Sequence, residues 1–145
     1  MEFKIMIISR PECKYNEEIF KNLKQFKKKH LSVEFTRIEN IGTLDLKLFF
    51  YAICDGFDGI IVITKWDEKE KYMDFRCSLF QKHIAEANKI LEKRGFGVNR
   101  VNLCYWDGLN YKILIKNFIK AFKKIKKCGK NPINRELLKL QQVTV

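Results

Sequence analysis

The stretch "DGIIVIT", residues 58–64, decides how the chain is read. Ile60, Ile61, Val62 and Ile63 form an unbroken β-branched run with no polar alternation. A strand exposed on one face would alternate, so an unbroken run marks a strand buried on both faces, as in a parallel sheet covered by helices.

Working outward, the flanks repeat that logic. "FKIMIIS" (3–9) is a second short Ile-rich strand. "SVEFTRIE" (32–39) sets Val33, Phe35 and Arg37 against polar neighbours, the pattern of an edge strand. "RVNLCYW" (100–106) is the fourth strand. Between them the period changes to that of a helix. Ile19, Leu23 and Phe26 recur in 16–30, with Asn16 as N-cap and lysines gathering at the end that the helix dipole favours. Residues 44–56 read as a short buried helix closed by Gly56. In 75–95, Leu79, Phe80, His83, Ile84, Ala87, Ile90 and Leu91 share one face, and Gly95 stops the helix. The last helix, 110–128, carries its apolar stripe on Leu114, Phe118, Ala121, Phe122 and Ile125.

This βαβαβαβα order predicts an α/β fold. The expected form is an open parallel four-stranded sheet with helices on both faces, in flavodoxin-like order 2-1-3-4. A chain of 145 residues suits one such domain, set at 1–130, with 131–145 as a C-terminal tail. Within that tail, "NRELLKL" (134–140) reads as one more helical turn. No apolar run spans a bilayer, and the start lacks a secretory pattern, so a cytoplasmic protein is expected.

The loops after the strands meet at the carboxyl edge of such a sheet, where α/β proteins bind ligands. "SRPECKYN" (9–16) has no glycine, and no Walker or dinucleotide fingerprint occurs, which excludes the usual phosphate cradles. The loops also lack a Ser/Thr/Gly-rich flavin cradle. A phosphoacceptor reading of Asp67 fails because no acid pair stands at the end of strand 1 to hold magnesium. Five cysteines stand at 13, 54, 77, 104 and 128, with no Cys-x-x-Cys. That spacing excludes a zinc finger and argues against a disulfide framework. Cys54 and Cys104 lie in apolar contexts and are expected in the core. Cys13, beside Arg10 and Lys14, has surroundings that lower a thiol pKa, which gives one alternative function, a thiol redox protein.

The formal net charge is +12. No acid occurs between Gly108 and Arg135, and Lys116, Lys120, Lys123, Lys124 and Lys127 give the last helix a basic face. A nucleic-acid or anionic-surface binder is therefore a second alternative. Against it, the charge is nearly all Lys, which lacks the planar fork of Arg, and no aromatic residues interleave with it. A solvated Lys-rich surface is the favoured reading of this charge.

Several segments together resemble one family. Asp58-Gly59 precedes the central strand and Tyr72 follows the loop after it. The run "HIAEANKILEKRGFGVNRVNLCYW" leads to a closing "GKNP" (129–132), and loop 1 carries Cys13-Lys14-Tyr15. In order and spacing these are similar to the delta subunit of methyl-viologen-reducing hydrogenase. The resemblance covers nearly the whole chain. It implies a subunit that carries a [2Fe–2S] cluster and passes electrons between a hydrogenase or formate dehydrogenase and a heterodisulfide reductase. It also implies a methanogen-like archaeal cytoplasm.

The family's cluster cysteines are mostly replaced here. The two earlier cysteines of loop 1 correspond to Ser9 and Arg10, while Cys13 is kept. The cysteine after strand 2 corresponds to Asn40, and the pair after strand 3 to Lys65 and Glu70. A [2Fe–2S] cluster needs four soft anionic ligands, and Lys and Arg offer no lone pair at neutral pH. The expectation is a subunit with no metal, no cofactor and no catalytic residue. It would act as a structural or regulatory partner in a redox complex, docking through Tyr15, Trp66, Tyr72 and Pro132.

Overall fold

The computed structural model describes residues 2–9, 20, 23, 31–38, 46–65, 75–106 and 108–133; at 65 and 75–80 it places the backbone only. Four strands appear: β1 (Phe3–Ser9), β2 (Leu31–Arg37), β3 (Gly59–Lys65) and β4 (Val101–Trp106). They form one sheet, all parallel, in the order β2-β1-β3-β4. The expected order and the edge position of β2 both hold. Three helices connect or follow them: α1 (Leu46–Cys54), α2 (Phe75–Lys93) and α3 (Tyr111–Cys128). The helix expected over 16–30 and the turn over 134–140 lie outside the described residues, apart from Phe20 and Leu23.

Strand alternation sorts the side chains into two cores. On one face Phe3, Ile5 and Ile7 of β1, Ile61 and Ile63 of β3, and Cys104 and Trp106 of β4 meet Leu114, Phe118, Ala121, Phe122 and Ile125 of α3. Phe20 packs into the same core, its ring 4.9 Å from that of Phe118. On the other face Ile8, Ile60, Val62 and Val101 meet α1 through Phe49, Ala52 and Ile53, and α2 through Ile84, Ala87 and Leu91. The unbroken run of β3 is thus explained, since all four residues from Ile60 to Ile63 are fully buried. In β2 the inner face is Leu31, Val33 and Phe35, while Glu34 is exposed.

The helices end where glycine permits a left-handed residue. After α1, Gly56 (φ 96°) donates to Ile53 O and Phe57 donates to Ala52 O; after α2, Gly95 (φ 87°) and Phe96 repeat the pattern. Each pair of bonds satisfies carbonyls left open by the last turn, and each following Phe anchors the chain against the second core. At the other end of α3, Asn110 accepts from Lys112 N at 2.9 Å as N-cap. Among the described residues no helix is long and apolar enough to cross a membrane.

Candidate functional site

The strand ends set out two edges with different chemistry. At the carboxyl edge, Ser9 closes β1 and pairs in register with Arg37 of β2 and Ile63 of β3. Lys65 closes β3, two residues beyond that rung and opposite Trp106. Ser9 and Lys65, which the resemblance set at cluster-cysteine positions, therefore stand at neighbouring strand ends. Ser9 is fully buried, and its carbonyl accepts from Ile38 N at 2.7 Å. Arg10, Cys13, Tyr15, Asn40, Trp66, Glu70 and Tyr72 lie outside the described residues.

The cysteines whose side chains are described do not assemble a ligand set. Cys104 is buried in β4, and its Sγ lies 3.8 Å from Leu114 O. Burial pushes its thiol from 9.0 up to about 12, so it stays protonated near neutral pH. Cys54 and Cys128 end α1 and α3, at the opposite edge of the sheet. Cys54 is exposed, contrary to its expected place in the core. It is the last residue of its helix, and Ala52 and Ile53 supply the buried surface there instead. Among the described residues no group of three or more His, Cys, Asp or Glu side chains could hold a metal ion. Ser9 and Lys65, which end β1 and β3, are not the soft anionic donors that a [2Fe–2S] cluster takes.

The amino edge is a tight polar knot. Asp58 and Arg100 stand just before β3 and β4, and Ile60 N donates to Arg100 O at 2.8 Å. Both side chains are buried. The Asp58 carboxylate accepts from Lys4 N at 2.8 Å, Asn131 N at 2.6 Å and Lys130 Nζ at 2.8 Å. Arg100 spends its guanidinium on main-chain carbonyls. Nε donates to Phe96 O (2.6 Å), Nη1 to Asp58 O (2.9 Å) and Gly129 O (2.5 Å), and Nη2 to Cys128 O and Lys130 O (both 3.3 Å). Three of those carbonyls, of Cys128, Gly129 and Lys130, lie at and just past the end of α3, where the helix dipole is negative. Burial lowers the Arg100 pKa from its ordinary value, while the Cys128 sulfur and the Asp58 carboxylate push it back up. Asn131 completes the knot. Its amide donates to Ile53 O and Phe57 O, both at 2.8 Å, and its Oδ1 accepts from Ile133 N at 3.0 Å. Pro132, a docking candidate from the sequence, follows directly and is half-buried at this edge, remote from the carboxyl edge.

The outer face of α3 is the third feature. Lys112, Lys116, Lys120, Lys123, Lys124, Lys126 and Lys127 are all exposed. Where α3 begins, Tyr105, Leu109, Tyr111 and Ile113 also stand exposed. Beside them the free side of edge strand β4 is closed by amide side chains. Asn117 donates to Tyr105 O at 2.6 Å, and Asn88 both donates to Val101 O (2.8 Å) and accepts from Val101 N (3.0 Å). These bonds stop β4 from recruiting another strand.

Sequence reasoning missed Arg100, Lys130, Asn131 and Asn88. The signal was present for two of them. "DG" before the central strand and "GKNP" after the last helix were singled out as shared segments, and they turn out to bind each other. For Arg100 and Asn88 nothing local marks a buried role, because their partners are distant in sequence.

A family model described as methyl-viologen-reducing hydrogenase, delta subunit, matches residues 6–129. No curated protein matches the chain. The family match runs from within β1 to the cap of α3 and so reaches all four strands. The chain therefore belongs to the methyl-viologen-reducing hydrogenase delta subunit family.

Proposed function

We propose that this chain is a non-catalytic structural or regulatory subunit of a redox complex, of hydrogenase, formate dehydrogenase or heterodisulfide reductase type. It holds its place by docking and binds no [2Fe–2S] cluster. The observation that carries this reading is the contrast in what the family frame keeps. The sheet and helices of the family-matched region are present and tied together by the Asp58–Arg100–Asn131 knot, while Ser9 and Lys65 occupy the strand ends that the resemblance sets at cluster cysteines. Neither is a soft anionic ligand.

Two measurements test it. Protein made anaerobically and incubated with iron and sulfide should stay colourless; a visible charge-transfer band with stoichiometric iron overturns the cluster-free reading. Native purification from the source cell, read by mass spectrometry, should bring down hydrogenase, formate dehydrogenase or heterodisulfide reductase subunits. Ribosomes or DNA in their place would favour the second reading, a nucleic-acid binder, for which the exposed lysines of α3 are the supporting feature. Such binding must weaken steeply with salt.

A further inference from the structure

Six large hydrophobic side chains stand exposed among the described residues: Tyr51, Val98, Tyr105, Leu109, Tyr111 and Ile113. Four of them gather at the turn from β4 into α3. Leu109 is the most exposed, at 86%. A cluster of this kind beside the carboxyl edge differs from the isolated apolar side chains that any surface carries.

The cluster is held in place from beneath. Tyr111 stacks on the buried Trp106, with ring centres 5.6 Å apart and planes 24° from parallel. The Trp106 indole donates to Asn110 O at 3.0 Å. Tyr105 is fixed through Asn117 at its carbonyl and Gln81 at its hydroxyl. The apolar head is thus a rigid knuckle, the kind of group that loses little entropy on binding.

A ridge of charge continues from it. Steps of three and four residues from Ile113 lead to Lys116, Lys120, Lys124 and Lys127, so these share its face of α3, and all four are exposed. The opposite face, Leu114, Phe118, Ala121, Phe122 and Ile125, is buried against the sheet.

We propose that the β4–α3 knuckle and this lysine ridge form one docking surface for an acidic partner protein, which seats Leu109 and Ile113 in an apolar socket ringed by carboxylates. This rests on the reading of the chain as a docking subunit and names the surface it uses. Charge complementarity selects the occupant. A second copy, at +12, would set lysines against lysines. A nucleic acid has no use for Leu109 and Ile113, Tyr111 already has one face on Trp106, and the ridge contains no Arg.

The test uses the full chain, tagged, in source-cell extract at physiological salt. Wild type is compared with a Leu109→Ser/Ile113→Ser double variant and a Lys116→Glu/Lys120→Glu double variant. Each pair alters exposed positions, and thermal melts confirm that the variants fold. Captured proteins are joined with a carbodiimide, which links a Lys amine to a neighbouring carboxylate, and the links are mapped. Redox-complex subunits should be retained by wild type, fall at least tenfold with each double variant, and be linked through Lys116, Lys120 or Lys124. If the variants retain those subunits undiminished, with links elsewhere, the docking surface is wrong and the proposed function stands. If wild type retains no redox subunit, whether it holds nuclease-sensitive material, unrelated proteins or nothing, both fall.

Discussion

The two edges of the sheet make an instructive contrast. At the amino edge a buried carboxylate and a buried guanidinium have every bond they need: Asp58 and Arg100 draw on β1, the end of α3 and the turn after α2. At the carboxyl edge, β1 ends in a buried hydroxyl at Ser9 and β3 in an ammonium group at Lys65. The amino edge closes the fold, and nothing in it is replaceable without leaving a charge or carbonyl unpaired.

Breaking the knot should have the largest effect. Arg100→Met removes five hydrogen bonds and leaves buried carbonyls and part of the Asp58 compensation unmet. We expect a loss of about 3–5 kcal/mol in urea unfolding, the usual cost of removing one partner from a buried charged network. A loss below about 1 kcal/mol would mean that the amino edge is not what holds the sheet to α3.

Next comes Gly59, the residue after Asp58. A Cβ there would meet Ile125 Cγ1 at 2.7 Å, so α3 lies against β3 only because no side chain intervenes. Gly59→Ala should cost about 1–3 kcal/mol by overpacking, seen as a lower Tm, and Ile125→Val in the same chain should recover part of it.

Cys104 gives a smaller effect with a definite sign. Its folded pKa is raised above the unfolded value, so its contribution is complete below pH 9 and is lost as pH rises toward 12. In that window the unfolded chain releases the proton and the folded chain keeps it. Stability should fall by up to about 1.4 kcal/mol per pH unit from this group. Cys104→Ala should flatten the alkaline limb of a stability profile relative to wild type; equal slopes would show that the thiol ionises in place.

The smallest effect on stability is expected at the carboxyl end of β4. Leu109→Ser alters a side chain that is 86% exposed, and its unfolding midpoint should move by no more than about 0.5 kcal/mol. A larger shift would make Leu109 a structural residue and remove it from any docking surface.

Much of this was legible without coordinates. The β-branched run of β3, the alternation of β2 and the glycines after α1 and α2 are local signals, and each fixed an element to within two residues. Strand order followed because βαβ units leave few arrangements for four parallel strands. The lysine face of α3 needed only the helical period. Cys54 was misjudged because its apolar neighbours in sequence are buried on the other side of the helix from it, so hydrophobic context and burial diverge at a helix end.

Sequence alone therefore determined the elements, the order of the sheet and the donor chemistry of Ser9, Arg10, Asn40, Lys65 and Glu70. Periodicity and donor chemistry are properties of residues taken singly or a few at a time. Only tertiary structure decided that "DG" and "GKNP" are one hydrogen-bonded unit, that Arg100 gathers the carbonyls at the end of α3, and that Leu109 and Ile113 head a lysine ridge. The physical reason is separation along the chain. Asp58 and Asn131 lie 73 residues apart, and no local pattern marks such a contact before the sheet brings the two ends together.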